Sequence, residues 1–215
     1  RGLKLLVDNG VPLRMKTMAL KSNLHEIHQI AEFCRRHTKD YFRFDPFLHL
    51  RYDGEEKRNA EIIEERLSPD EIVAVERADP ERISALMTQC RGPVDAHISD
   101  SVGERLFTCG AGVYSFSISY NGMFRLCDSL WAPGTTCDLK TVLLSEAWSD
   151  LVPRVRNLAS ANPSYRQTCG AWRMVNFCLS CPAHNYLETG HLEGETSYFC
   201  RIAHAREAML REARP

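Results

Sequence analysis

The sequence predicts an α/β domain followed by a smaller α+β domain built around a β-hairpin. Three observations predict it. Residues 11–45 read as strand, helix, strand, the pattern of a βαβ unit. A Gly-, Pro-, Asp- and Ser-bearing stretch at 91–104 then divides the chain into 1–90 and 91–215. Beyond it the apolar period shortens from that of a helix to that of a strand.

Composition bounds what such a chain does. At 215 residues, 44% hydrophobic and 26% charged, it has an ordinary globular balance and enough length for one sizeable core or two small ones. Lys plus Arg is 27 and Asp plus Glu is 28, a net charge of −1, so no long-range field draws it to nucleic acid or to an anionic membrane. No apolar run approaches the roughly 18 residues of a spanning helix. Neither nucleic acid nor membrane is therefore an expected partner.

In the first domain, Asn9-Gly10 signals a turn, and residues 11–18 follow it as a strand. Asn23 stands as an N-cap with Glu26 three residues on, and Leu24, Ile27, Ala31 and Cys34 then recur at helical spacing, widened by Ile30 and Phe33. Cys34 on that stripe packs as a small hydrophobe. Residues 41–45 are the next strand. A parallel sheet needs more such units, so the front of this domain is expected upstream of Arg1. Residues 51–59 are polar and read as a loop. Ser68-Pro69-Asp70-Glu71 is a capping box with Pro at the first helical position, and Asp79-Pro80 repeats the device before a helix over 81–90.

In the second domain, Tyr114, Phe116, Ile118 and Tyr120 alternate with Ser115, Ser117 and Ser119, a half-buried strand with its aromatic face in the core. Asn121-Gly122 is a strong hairpin signal, and residues 123–127 form the return strand. Residues 145–158 are helical, bent at Pro153, and a last helix covers 198–211.

Nine cysteines carry the chemistry. An odd number at about 4% of the chain does not read as a closed disulfide scaffold. Cys34 and Cys90 stand apart, while seven fall between Cys109 and Cys200, including Cys178-Leu179-Ser180-Cys181. That clustering reads as metal ligation in a reducing, cytoplasmic compartment. The hairpin carries Cys109 and Cys127 to one open end. Cys169, Cys178 and Cys181 approach from a second segment, and Cys200 from the start of the last helix. Gathered thiolates suit zinc or an iron–sulfur cluster, and spacing alone does not choose between them.

Cys109, twelve residues, Gly122, four residues, Cys127 resembles the first half of the SPASM motif of radical SAM enzymes. Cys169, Trp172, Cys178 and Cys181 follow the register of its second half, with Cys200 as its last cysteine. Cys181-Pro182-Ala183-His184, Tyr198-Phe199-Cys200 and Ala203-His204-Ala205-Arg206 resemble peptide-modifying members, and the first 50 residues resemble the end of the radical SAM partial (β/α)6 barrel. The resemblance implies two auxiliary [4Fe–4S] clusters. Cys109, Cys127 and Cys181 belong to the nearer, and Cys169, Cys178 and Cys200 to the farther. Trp172 stands where the family has a ligand, and Cys178 and Cys181 are separated by two residues where the family has three. Each cluster then has three thiolates, and an open iron could bind substrate or take His184, His191, Cys137 or Cys90. The alternative is a single site of Cys109, Cys127, Cys178 and Cys181.

In sulfatase-maturing relatives an Asp at the place of Asp128 is viewed as a substrate base; a turn-forming Asp after a strand is the plainer reading. The SAM-cleaving Cys-x3-Cys-x2-Cys run does not occur in residues 1–215. The resemblance therefore implies the auxiliary-cluster portion of an enzyme that modifies a peptide or protein side chain. It would work with S-adenosylmethionine and a reductant such as ferredoxin or flavodoxin, the clusters relaying electrons or ligating substrate. The reading from another class is a non-catalytic zinc-binding interaction module.

Overall fold

The computed structural model describes residues 1–38, 43–94, 105–169, 177–178 and 181–212. Trp172, residues 41–42 of the expected second strand and residues 95–104 of the expected linker lie outside them.

The chain opens with α1 (Gly2–Asp8). Asn9 Nδ2 donates to the Leu5 carbonyl at 2.8 Å and Gly10 follows at φ +65°, so Asn9-Gly10 stops a helix and does not open a strand. The strand expected over 11–18 forms only as β1 (Lys16–Met18). It pairs in parallel with β2 (Arg43–Asp45), Thr17 opposite Phe44, and α2 (Ile27–His37) connects the two. Ile27, Ala31 and Cys34 form the buried stripe of α2. Asn23 sits inside a 3₁₀ turn, Lys21–Glu26, that precedes α2. Its Oδ1 accepts from the Leu20 N–H and its Nδ2 donates to the Met18 carbonyl, both at 2.9 Å, so it pins the end of β1 to the turn.

The expected loop over 51–59 is interrupted by α3 (Glu56–Glu65), whose cap is Glu55, a residue type outside the usual N-cap set. At α4 (Pro69–Arg77) Ser68 Oγ accepts from the Glu71 N–H at 3.2 Å while Glu71 Oε2 accepts from the Ser68 N–H at 2.7 Å, the reciprocal capping box. α5 (Pro80–Val94) starts on Asp79 and runs past the boundary expected at residue 90.

After residue 104 a three-stranded antiparallel sheet forms in the order β3 (Ser117–Ile118), β4 (Met123–Arg125), β5 (Thr136–Asp138). Gly122, at φ +86°, makes the turn between β3 and β4; β5 had no signal in the sequence. The aromatic stripe does not enter the core. Tyr114 is 90% exposed, Tyr120 is fully exposed, and Phe116 and Ile118 are about half exposed. Phe124 and Leu126, on one face of β4 and just past it, fill the interior instead, against Ala147, Leu151, Val152 and Val155. Those four lie on a π-helical turn (Ala147–Leu151) and α7 (Val152–Arg156), which continue α6 (Leu144–Glu146) as one helical run. Pro153 has no N–H to give the preceding turn, and the widened register there absorbs the missing bond.

Two short helices were not expected, and the last, longer helix was. α8 (Pro163–Gln167) starts on Asn162, α9 (Pro182–Thr189) on Cys181, and α10 (Ser197–Glu212) ends the described chain. α10 packs on α4, and Phe199 and Ile202 enter the same core as Ala19, Ile27, Phe44, Phe47, Leu67 and Ile72. The last helix therefore belongs with the first domain's core, not with the hairpin. Among the described residues no helix is long and apolar enough to cross a membrane.

Candidate functional site

The hairpin and its supports place Cys109 and Cys127. Cys109 lies in an exposed loop whose carbonyl accepts from Arg156 Nη1 at the end of α7. Gly112, at φ +73°, turns that loop back; a Cβ there would come within 2.9 Å of Leu126 Cγ, so no side chain fits. Cys127 follows β4. Burial raises its thiol above the ordinary range, the N–H groups of Ser129 and Leu130 donate to the sulfur and oppose the rise, and charge on Cys109 and Asp128 adds to it.

Cys181 caps the N-terminus of α9, where Pro182 takes the first helical position and needs no N–H. Burial raises its thiol to about 11, against N–H donation from His184 and Ala183, and charge on Cys127 and Cys109 raises it further. Cys109, Cys127 and Cys181 thus lie within mutual electrostatic reach, drawn from three separate stretches. Two of the three sulfurs receive paired backbone N–H bonds, the arrangement that stabilises a thiolate.

A second group forms beside α10. Cys169 is raised by a hydrogen bond with Cys200 and by burial. At Cys200, in the first turn of α10, the bond with Cys169 lowers the thiol, while a bond with Cys178 and burial raise it, to about 11. Cys178 follows Phe177, which is buried, and packs on the cores at its back. With Cys127, Cys181, Cys169 and Cys200 raised, metal uptake at either group releases protons from these thiols.

Among the described residues no three His, Cys, Asp or Glu side chains converge on a point suited to one metal ion.

The remaining candidates lie as follows. Asp128 is 87% exposed, accepts from Ser117 Oγ and faces Arg125 Nη2 at 3.6 Å. A reacting group can reach it. Cys137 sits on β5 with Arg154 and Asp138 as its charged neighbours, apart from both groups. His184 stacks on His49, ring centroids 3.5 Å apart, with Nε2 3.3 Å from Ser129 Oγ. The side chain of Cys90 lies outside the described residues.

Two residues at the site carried no functional signal in the sequence. His49 lies against His184 and Phe199 with its Nδ1 buried and unpartnered among the described residues. Burial, then His184 and Arg66, push its pKa down to about 3. Tyr165, on α8, is raised to about 12 by burial and by charge on Cys169, Glu193, Cys178 and Cys181, which places it between the two thiol groups. Asn162-Pro163 is an explicit helix start and was the available signal for α8.

No family model, no curated protein and no solved structure matches the chain.

Proposed function

We propose that this chain is the auxiliary iron–sulfur portion of a radical SAM enzyme that modifies a peptide or protein side chain in the cytoplasm. The observation that carries the reading is the sorting of six cysteines into two groups of three. Cys109, Cys127 and Cys181 form one and Cys169, Cys178 and Cys200 the other, the same division that the cysteine spacing suggested through its resemblance to the SPASM motif. Two all-thiol groups, with backbone N–H donors at Cys127 and Cys181, suit [4Fe–4S] clusters in their donor chemistry.

In this reading each group holds one cluster through three thiolates, and a bound cluster would supply electron relay or an open iron for substrate. The chain's own residues set the surroundings. The N–H groups of Ser129, Leu130, Ala183 and His184 stabilise anionic sulfur, and Arg156 anchors the Cys109 loop. Asp128, beside Cys127 and open to solvent, is the proton acceptor from substrate. S-adenosylmethionine and a ferredoxin- or flavodoxin-like reductant belong to the activity of an enzyme carrying the missing Cys-x3-Cys-x2-Cys run.

The test is metal analysis with a visible spectrum after anaerobic reconstitution. About eight irons per chain, with brown colour, is the expected result for two four-iron clusters. About four supports a single site. Zinc without colour overturns the reading in favour of a structural metal module. Cys109→Ala and Cys127→Ala should each lower iron content, and unchanged iron in both removes the ligand assignment.

A further inference from the structure

An open cavity of about 610 Å³ is lined in part by Cys169, and its size falls within the roughly 300–1,000 Å³ of small-ligand sites. Its walls come from four stretches of the chain that the fold gathers: the start of the second domain, the turn after Trp131, the segment leading into α8, and the end of α9 with the loop beyond it. Tyr165 and Tyr186 supply aromatic wall, and Cys169 connects the cavity to the second thiol group. Glu193 and Glu195 supply two carboxylates beside His191, and no lysine or arginine is among the described lining residues.

The Glu193 carboxylate is held in place, and the charge of both carboxylates reaches the interior. Glu193 Oε1 accepts from the Ala161 N–H at 3.3 Å, which fixes it on the rim. Charge on Glu193 raises Tyr165, and charge on Glu195 raises Cys169 and Cys200. Two carboxylates facing aromatic walls attract an organic cation by charge and hold it against a ring face. An anionic or purely apolar ligand meets either repulsion or stranded charge.

We propose that this cavity receives the cationic side chain of a lysine or arginine in the peptide that the protein acts on. The peptide part rests on the function proposed above; the selectivity for a cation rests on the cavity alone. The site is an anchor: it holds a residue of the substrate away from the bond that reacts, and binding energy spent there orients the rest of the chain.

Calorimetric titration of the reconstituted protein with N-acetyl-arginine amide and N-acetyl-lysine amide tests it, with N-acetyl-norleucine amide as the uncharged control. The cationic amides should bind at least about tenfold more tightly than the control, and less tightly as salt rises. Glu193→Gln with Glu195→Gln should remove that preference, since glutamine keeps the Oε1 that accepts from Ala161 and loses only the charge. If the double variant does not fold, Glu195→Gln alone, at an exposed position, should still reduce it. Equal binding of the norleucine amide, no binding of either cation, or no effect of the substitutions overturns the proposal. Iron measured on the same samples separates the two ideas. Cation selectivity without iron keeps the anchor and removes the radical enzyme; iron without selectivity does the reverse.

Discussion

His49 is the residue whose surroundings cost most at low pH. Its ring is stacked on His184 and packed beside Phe199, with Arg66 close enough to oppose a second positive charge. Burial comes first among the causes, and together they hold the imidazole neutral down to about pH 3. In the unfolded chain it takes a proton near pH 6.5. Between those two values the unfolded state binds more protons, so stability is fully present above 6.5 and falls as pH drops toward 3. At pH 5 the loss from this one group is about 2 kcal/mol. His49→Phe keeps the ring and removes both the titration and the unpartnered Nδ1. Urea unfolding at pH 7.5 and pH 5.0 should show a smaller acid loss in the variant than in the parent, and equal losses would remove His49 as the source.

At the scale of elements, the loop from Cys109 to the first hairpin strand depends on one glycine. Gly112 has positive φ, and its Cβ position is closed by Leu126 and Val152 side chains. Alanine there meets both a left-handed backbone and a filled core, about 2–4 kcal/mol together. Gly134 also has positive φ, +76°, but with open space beside it, so Gly134→Ala meets only the backbone term, about 1–2 kcal/mol. Chemical denaturation should rank the two variants in that order. Gly112→Ala should in addition lower iron uptake, because it moves the loop that carries Cys109. Equal stability of the two would mean that the core beside Gly112 yields freely.

The same elements show what the sequence could carry. The reciprocal cap at Ser68, the turn at Gly122, the buried stripe of α2 and the long final helix were legible because each rests on residues within a few positions of one another. Asn9-Gly10 was legible only as a break, since helix stops and hairpin turns use the same residues. The stripe of Tyr114, Phe116, Ile118 and Tyr120 shows the limit: alternation reveals that two faces differ, while the partner strand decided that Phe124 and Leu126 fill the core. Hairpin pairing gave the closeness of Cys109 to Cys127. The positions of Tyr165 and His49 depend on contacts between distant segments, and no local pattern announces them.

Helices α4, α5 and α10 are tied together by a buried charge network that also reaches the residue before Cys178. Glu76 on α4 is fully buried and accepts from Arg82 of α5, Nε at 3.1 Å and Nη2 at 2.8 Å, and from Arg206 of α10, Nε at 2.9 Å and Nη2 at 2.6 Å. The guanidiniums lie over Phe44 and Phe47, which disperses part of their charge against ring faces. Arg206 Nη1 also donates at 3.3 Å to the carbonyl of Phe177, the residue before Cys178. Glu76→Gln removes the carboxylate that Arg82 and Arg206 share and should cost about 3–5 kcal/mol. Replacing Glu76, Arg82 and Arg206 together with methionine removes every charge at once, and such exchanges are often neutral or stabilising. The two variants separate stability from positioning. If the network serves only to join the helices, the triple variant recovers both parental stability and iron content. If Arg206 also sets the Cys178 segment, the triple variant recovers stability and still loses iron from the second group, because nothing donates to the Phe177 carbonyl. Urea midpoints and iron per chain, measured on both variants, decide between them, and the contact with Phe177 favours the second outcome.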